Sequence, residues 1–108
     1  MRFRQYGRME DELVLTDPWW DLRGGGPAEE KQCKAIQAEL LAEVSQGHPL
    51  FGVAVEVVAR SEASDDVLLR AGRRGWAVVH LTWRGAAEPP PWPRVAFYAS
   101  VQEIENLH

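Results

Sequence analysis

Two hydrophobic periods divide this chain. Between Pro27 and Gly47 the apolar residues fall at Cys33, Ile36, Leu40 and Val44, with Leu41 alongside. Spacings of three and four place them on one stripe of a helix. Lys31, Lys34, Gln37, Glu39 and Glu43 form its polar face. Pro27 suits the first helical position. Glu29 and Glu30 match the positive end of the helix dipole. Gly47 followed by Pro49 stops the helix.

From Leu50 onward the period is two. In "FGVAVEVVAR" Val53, Val55, Val57 and Ala59 alternate with Ala54, Glu56, Val58 and Arg60, which fits a pleated surface rich in β-branched residues. "DVLLR", "WAVVHLTW" and "RVAFYA" read as three more strands, separated by the turns "SEASD" and "AGRRG" and by the proline-rich loop "RGAAEPPPWP". In the third strand Ala77, Val79, Leu81 and Trp83 are wholly apolar and belong against the helix. Trp76, Val78, His80 and Thr82 form a mixed face. "SVQEIENL" opens with Ser100 and has Glu103 three residues on, a capping pattern for a short terminal helix. Strands joined by short loops pair antiparallel, so the expected fold is α+β: an antiparallel sheet of about four strands, one long helix on one face, and a short C-terminal helix.

Residues 1–26 differ in character. "DELVLTDPWWDLRGGGP" has one strand-like piece, Glu12–Thr16, then Asp17-Pro18 and three glycines. They read as an extended arm with an edge strand, followed by a single domain over 27–108 that is expected to fold without the arm. The mixed sheet face is too apolar at Trp76 and Val78 to be simply solvated. Its cover is expected to be the arm, the proline-rich loop, a second subunit or a ligand.

Composition narrows the partners. The chain has 108 residues, a net charge of −4 and a pI near 5.3, which argues against a nucleic-acid partner, since phosphate binding needs a concentrated basic surface. Ten of the twelve basic residues are arginines. Arg70, Arg73 and Arg74 cluster at what reads as a solvated hairpin tip. The apolar runs are too short to span a bilayer, and no signal-peptide pattern opens the chain. With one cysteine, Cys33, on the apolar helix stripe, nothing calls for an oxidising compartment. The expected setting is cytoplasmic.

Candidate chemistry centres on His80, because an imidazole changes charge near neutrality. A four-residue hairpin loop at "AGRRG" brings Asp65 or Asp66 opposite residue 79 or 80, where a carboxylate can orient the ring. Thr82, Glu88 and Trp92 complete a candidate binding set, with Trp92 as its lid. The competing reading is structural: a satisfied histidine and turn-forming aspartates. His48, His80 and His108 lack metal-ligand spacing, "RGGGP" lacks the lysine of a nucleotide cradle, and no serine or cysteine elbow is present. No cofactor is expected. Five tryptophans in 108 residues favour an interface, for which Trp19, Trp20 and Trp76 are the candidates. Trp92, flanked by Pro91 and Pro93, is expected to be buried over the end of the sheet, carried there by a stiff extended run, Pro89–Pro91.

The residues "HPLFG", "DDVLLR", "VVHLTW", Glu88, Trp92-Pro93 and Tyr98-Ala-Ser, over about 48–100, resemble a group of short bacterial proteins of uncharacterised function that share a DDVL…VVHLTW…E…WP…Y pattern. The resemblance implies that this half is the characteristic unit, and it implies no activity. Two functions remain. One is a non-catalytic domain that binds another protein or a second copy of itself. The other is a small-molecule binder or enzyme with a pocket of His80, Thr82, Asp66, Glu88 and Trp92. A polar pocket under Trp92 favours the second, and a flat covered sheet favours the first.

Overall fold

The computed structural model describes residues 2–3 and 13–107. The fold is α+β, with one main helix and a short C-terminal helix. Its strands are β1 (Arg2–Phe3), β2 (Trp19–Asp21), β3 (Ala54–Ser61), β4 (Asp66–Arg70), β5 (Trp76–His80) and β6 (Arg94–Tyr98), with helices α1 (Pro27–Glu43) and α2 (Val101–Glu105). Strands β3 to β6 pair in sequence order, all antiparallel. Both N-terminal strands share the outer edge of β3: β1 runs parallel to its start, and β2 runs antiparallel to its end. The strand expected at Glu12–Thr16 is not formed at 13–16, and residue 12 lies outside the described residues. The edge strand sits at Trp19–Asp21 instead, after Pro18, whose missing N–H would have interrupted an earlier ladder.

One face of the sheet carries α1. Ile36, Leu40 and Val44 meet Val55, Val57, Val67, Leu69, Ala77, Val79 and Leu81, with Trp83 partly buried against them. The helix stripe read from the sequence is the buried one, except that Leu41 is exposed. The opposite face is also a core. Leu13, Trp19 and Ile104 of α2 cover Val58, Leu68 and Trp76, with Val78 and Tyr98 at the margin. The mixed face is therefore covered by the chain's own N-terminal segment and C-terminal helix. The α2 cap forms as expected: Ser100 Oγ accepts from Glu103 N at 3.2 Å, and the Glu103 carboxylate accepts from Ala99 N at 3.0 Å.

Alternation along β3 breaks once. The pairing steps from Val57↔Leu69 to Ala59↔Leu68, so Val58 is an extra residue, a β-bulge. Beyond it the faces exchange: Ala59 joins the second core, and Arg60 reaches Gln32 of α1. A strict period of two had placed both the other way. At the β4–β5 turn, a 3₁₀ segment over Gly72–Arg74 ends on Gly75. Gly75 has φ of 83°, and a Cβ there would lie 2.6 Å from Tyr98 O; glycine alone fits both demands. None of the helices among the described residues is long and apolar enough to cross a membrane.

Candidate functional site

The hairpin register sets the first group. Asp66 pairs with His80 across β4–β5, and His80 with Arg94 across β5–β6. His80 Nδ1 lies 2.9 Å from Asp66 Oδ1, with the side chains 54% and 27% exposed. The carboxylate can only accept when ionised, so Nδ1 carries the proton and Nε2 is left to face other partners. Asp65 contributes its backbone carbonyl, which accepts from Leu81 N at 3.2 Å.

Thr82 belongs to a second group. β5 ends at His80, and the chain then turns away through Trp83, whose φ is 58°. The Thr82 hydroxyl donates to Glu88 Oε2 at 2.9 Å. With Arg84, Pro89 and Trp92 these residues line a half-open cleft of about 400 Å³. Trp92 is 39% exposed, so it is a wall of this cleft and not the buried plug expected. The reason is the path of the loop. Trp92 N donates to Pro89 O at 3.0 Å, folding the proline run into a turn that contains a cis Pro90–Pro91 bond. The next residue, Pro93, goes inward, and the indole stays outside with the Arg94 guanidinium 4.8 Å over its ring.

What fixes this loop comes from α1 and the segment after it. Glu43 is fully buried. Its carboxylate accepts from Thr82 N at 3.0 and 3.1 Å and from Trp83 N at 2.9 Å. Glu39 accepts from Gly85 N at 2.9 Å. The Glu43 backbone carbonyl accepts from Glu88 N at 3.0 Å, and Ser45 Oγ donates to Glu88 O at 2.8 Å. His48, also buried, accepts from Leu50 N through Nδ1 at 3.0 Å and donates from Nε2 to Pro93 O at 2.7 Å. Burial, and a hydrogen bond shared with the nearby Glu39 carboxyl, raise the Glu43 pKa above 4.5; the backbone N–H groups pull the other way and lose.

Sequence reasoning put Glu43 on the solvated face of the helix and gave Glu39, Ser45 and His48 no role. Glu43 could have been found: it lies three residues after Leu40 and seven after Ile36, on the buried stripe. The interface candidates are placed differently from one another. Trp19 is 7% and Trp76 3% exposed, both within the second core, and Arg70 stacks over Trp76 at 5.1 Å. Trp20 is half-buried and donates from Nε1 to Glu29 at 3.2 Å. Among the described residues no group of three or more His, Cys, Asp or Glu side chains could hold a metal ion. Comparison with family models, with curated proteins and with solved structures gives no match to this chain.

Proposed function

We propose that the chain is a non-catalytic, cytoplasmic binding domain that takes a segment of another protein at the surface around Trp92. The observation that carries this reading is a large indole held out from the fold by a loop pinned at Glu43, Ser45 and His48. Trp and Arg dominate the energetics of protein interfaces, and Trp92, Arg94 and Arg84 lie together here. A pre-fixed loop also loses little entropy on binding. The half-open cleft favours a partner surface over a small molecule, which needs most of its area enclosed. Trp19 and Trp76 are used inside the chain, so a second copy is the weaker choice of partner.

The test is selection of peptides from a displayed library against the full chain, mapped by NMR. Selected peptides are expected to shift Trp92, Thr82 and Arg94, and Trp92→Ala is expected to weaken them by about thirtyfold or more. Peptides that map elsewhere, or that ignore Trp92→Ala, defeat the reading. Sedimentation of the same samples separates a second copy from a different partner.

One observation supports a catalytic alternative: Asp66 orients His80 as an orienting carboxylate does a general base. On that reading a ligand bound at the exposed edge of His80, outside the Trp92 cleft, whose lining includes neither His80 nor Asp66, gives up a proton to the imidazole. His80→Gln would then abolish turnover of that ligand while leaving its binding intact; loss of neither leaves the pair structural.

A further inference from the structure

A second cleft opens on the helix side of the sheet, where β2 and the turn after β3 flank the N-terminal half of α1. It holds about 320 Å³ between Trp20, Gln32, Arg60, Ser61, Glu62 and Ser64. Arg60 is there because of the bulge in β3, which turns its side chain from the far face to this one. Its Nη1 donates to Gln32 Oε1 at 2.7 Å, and its guanidinium lies 4.6 Å over the Trp83 ring. Neither partner carries a charge. Among the described residues no carboxylate lies within ion-pair distance of Arg60. A half-buried guanidinium is thus positioned by a neutral amide and an indole, with most of its N–H donors uncommitted.

One hydroxyl completes the donor set. Ser64 Oγ accepts from Asp66 N at 3.2 Å, whereas Ser61, buried and paired with Trp19, turns its side chain to the other face of the sheet. A hydroxyl that accepts a backbone N–H still has its own proton to donate. The cleft therefore gathers one positive charge and one hydroxyl donor, which is the complement of an oxyanion. Its rim sets the charge of the ligand. Glu62 lines the opening and Glu29 is bonded to Trp20 Nε1, so a dianion meets repulsion that a monoanion largely escapes. Trp20 offers a flat apolar wall.

We infer that this cleft binds a small monocarboxylate, the carboxylate on Arg60 and Ser64 and its planar apolar body against Trp20. It is a site separate from the protein-binding surface around Trp92 and does not depend on that reading.

The test is an NMR titration of the full chain with benzoate, acetate and inorganic phosphate. Benzoate is expected to give saturable millimolar shifts at the Trp20 and Trp83 indole N–H groups and at the amides of 61–64, acetate weaker ones, and phosphate the weakest. Gln32→Glu places a carboxylate within reach of Arg60 from a partly buried position on α1. It should satisfy the guanidinium from within and weaken benzoate by about tenfold, equivalent to about 1.4 kcal/mol. The inference is overturned if benzoate gives no saturable shift at these residues, if its shifts centre on Trp92 or His80, if phosphate binds as tightly as benzoate, or if Gln32→Glu binds benzoate like the native chain. The mapping in the native chain needs no variant to fold.

Discussion

Glu43 is where one side chain does most to shape this molecule. A buried carboxylate is costly unless hydrogen-bonded, and here it accepts the backbone N–H groups of Thr82 and Trp83 while its helix neighbour Glu39 takes that of Gly85. Glu43→Ala leaves those N–H groups without an acceptor and should cost about 2–4 kcal/mol. The raised pKa of Glu43 adds a pH dependence with a definite sign. A group whose pKa is higher folded than unfolded contributes stability that is fully present below its unfolded value, here near 4.5, and lost as pH rises through its folded value. Denaturant midpoints of the native chain should therefore fall across that interval relative to those of Glu43→Gln, whose amide cannot ionise; parallel curves would show that Glu43 titrates normally. Trp92 is the contrasting residue. Being substantially exposed, it leaves no enclosed cavity when truncated, and Trp92→Ala should change stability by less than about 1 kcal/mol. A loss of about 3 kcal/mol or more, the range for a buried aromatic, would mean that the indole plugs the fold after all.

At the scale of elements, α1 and the β4–β5 hairpin carry the architecture. Ile36 and Leu40 are fully buried against the sheet, so Leu40→Ala should cost about 2–5 kcal/mol from lost transfer energy and a residual cavity; a shift in the denaturation midpoint worth under about 0.5 kcal/mol would mean that another face of the helix is buried. These elements were legible because their signals are local. The α1 stripe, the β4 and β5 runs, the "AGRRG" tip and the Ser100 cap each follow from residues within a few positions of one another. The tip located Asp65 or Asp66 near residues 79 and 80, but the loop has five residues, 71–75, not the four expected, and it is this length that sets Asp66 opposite His80. What was not legible depended on long-range contacts. No local residue marks the β3 bulge, which is fixed by pairing with β4, yet it decides which face Arg60 occupies. The loop after His80 reads as an unconstrained proline-rich connection until Glu43, Ser45 and His48 are seen to hold it from about forty residues away in sequence. Hence the sequence pointed to one pocket of His80, Asp66, Thr82, Glu88 and Trp92, whereas the cleft is lined by the last three without His80 or Asp66, and it missed what fixes them.

The whole molecule is a sheet with a core on each side, and its N-terminal segment belongs to both. Leu22 sits in the α1 core, and Leu13 and Trp19 in the other. β2 completes the edge of β3, and Leu22 N donates to Val58 O at 2.9 Å, at the bulge itself. The ends of this segment are tied down as well. Val14 N donates to Glu105 of α2 at 2.8 Å. Arg23 donates to Leu13 O at 2.8 Å and pairs with Asp21 at 2.8 Å. Burial pushes the Asp21 carboxyl up, but the hydrogen bonds and charge of Arg23 outweigh it and hold the group below its ordinary value. Residues 1–26 are expected on composition to be a dispensable arm, but removing them exposes Val58, Leu68 and Trp76 and strips the pairing from the far end of β3. The truncated chain 27–108 should then lose cooperative unfolding and near-ultraviolet circular dichroism, and Leu22→Ala in the full chain should by itself cost about 2–5 kcal/mol. Sedimentation adds the decisive comparison, because an unfolded core tends to aggregate while a released dimer arm only shifts mass. A truncated chain that stays monomeric and unfolds at the midpoint of the full chain would show that the two cores stand without their N-terminal cover.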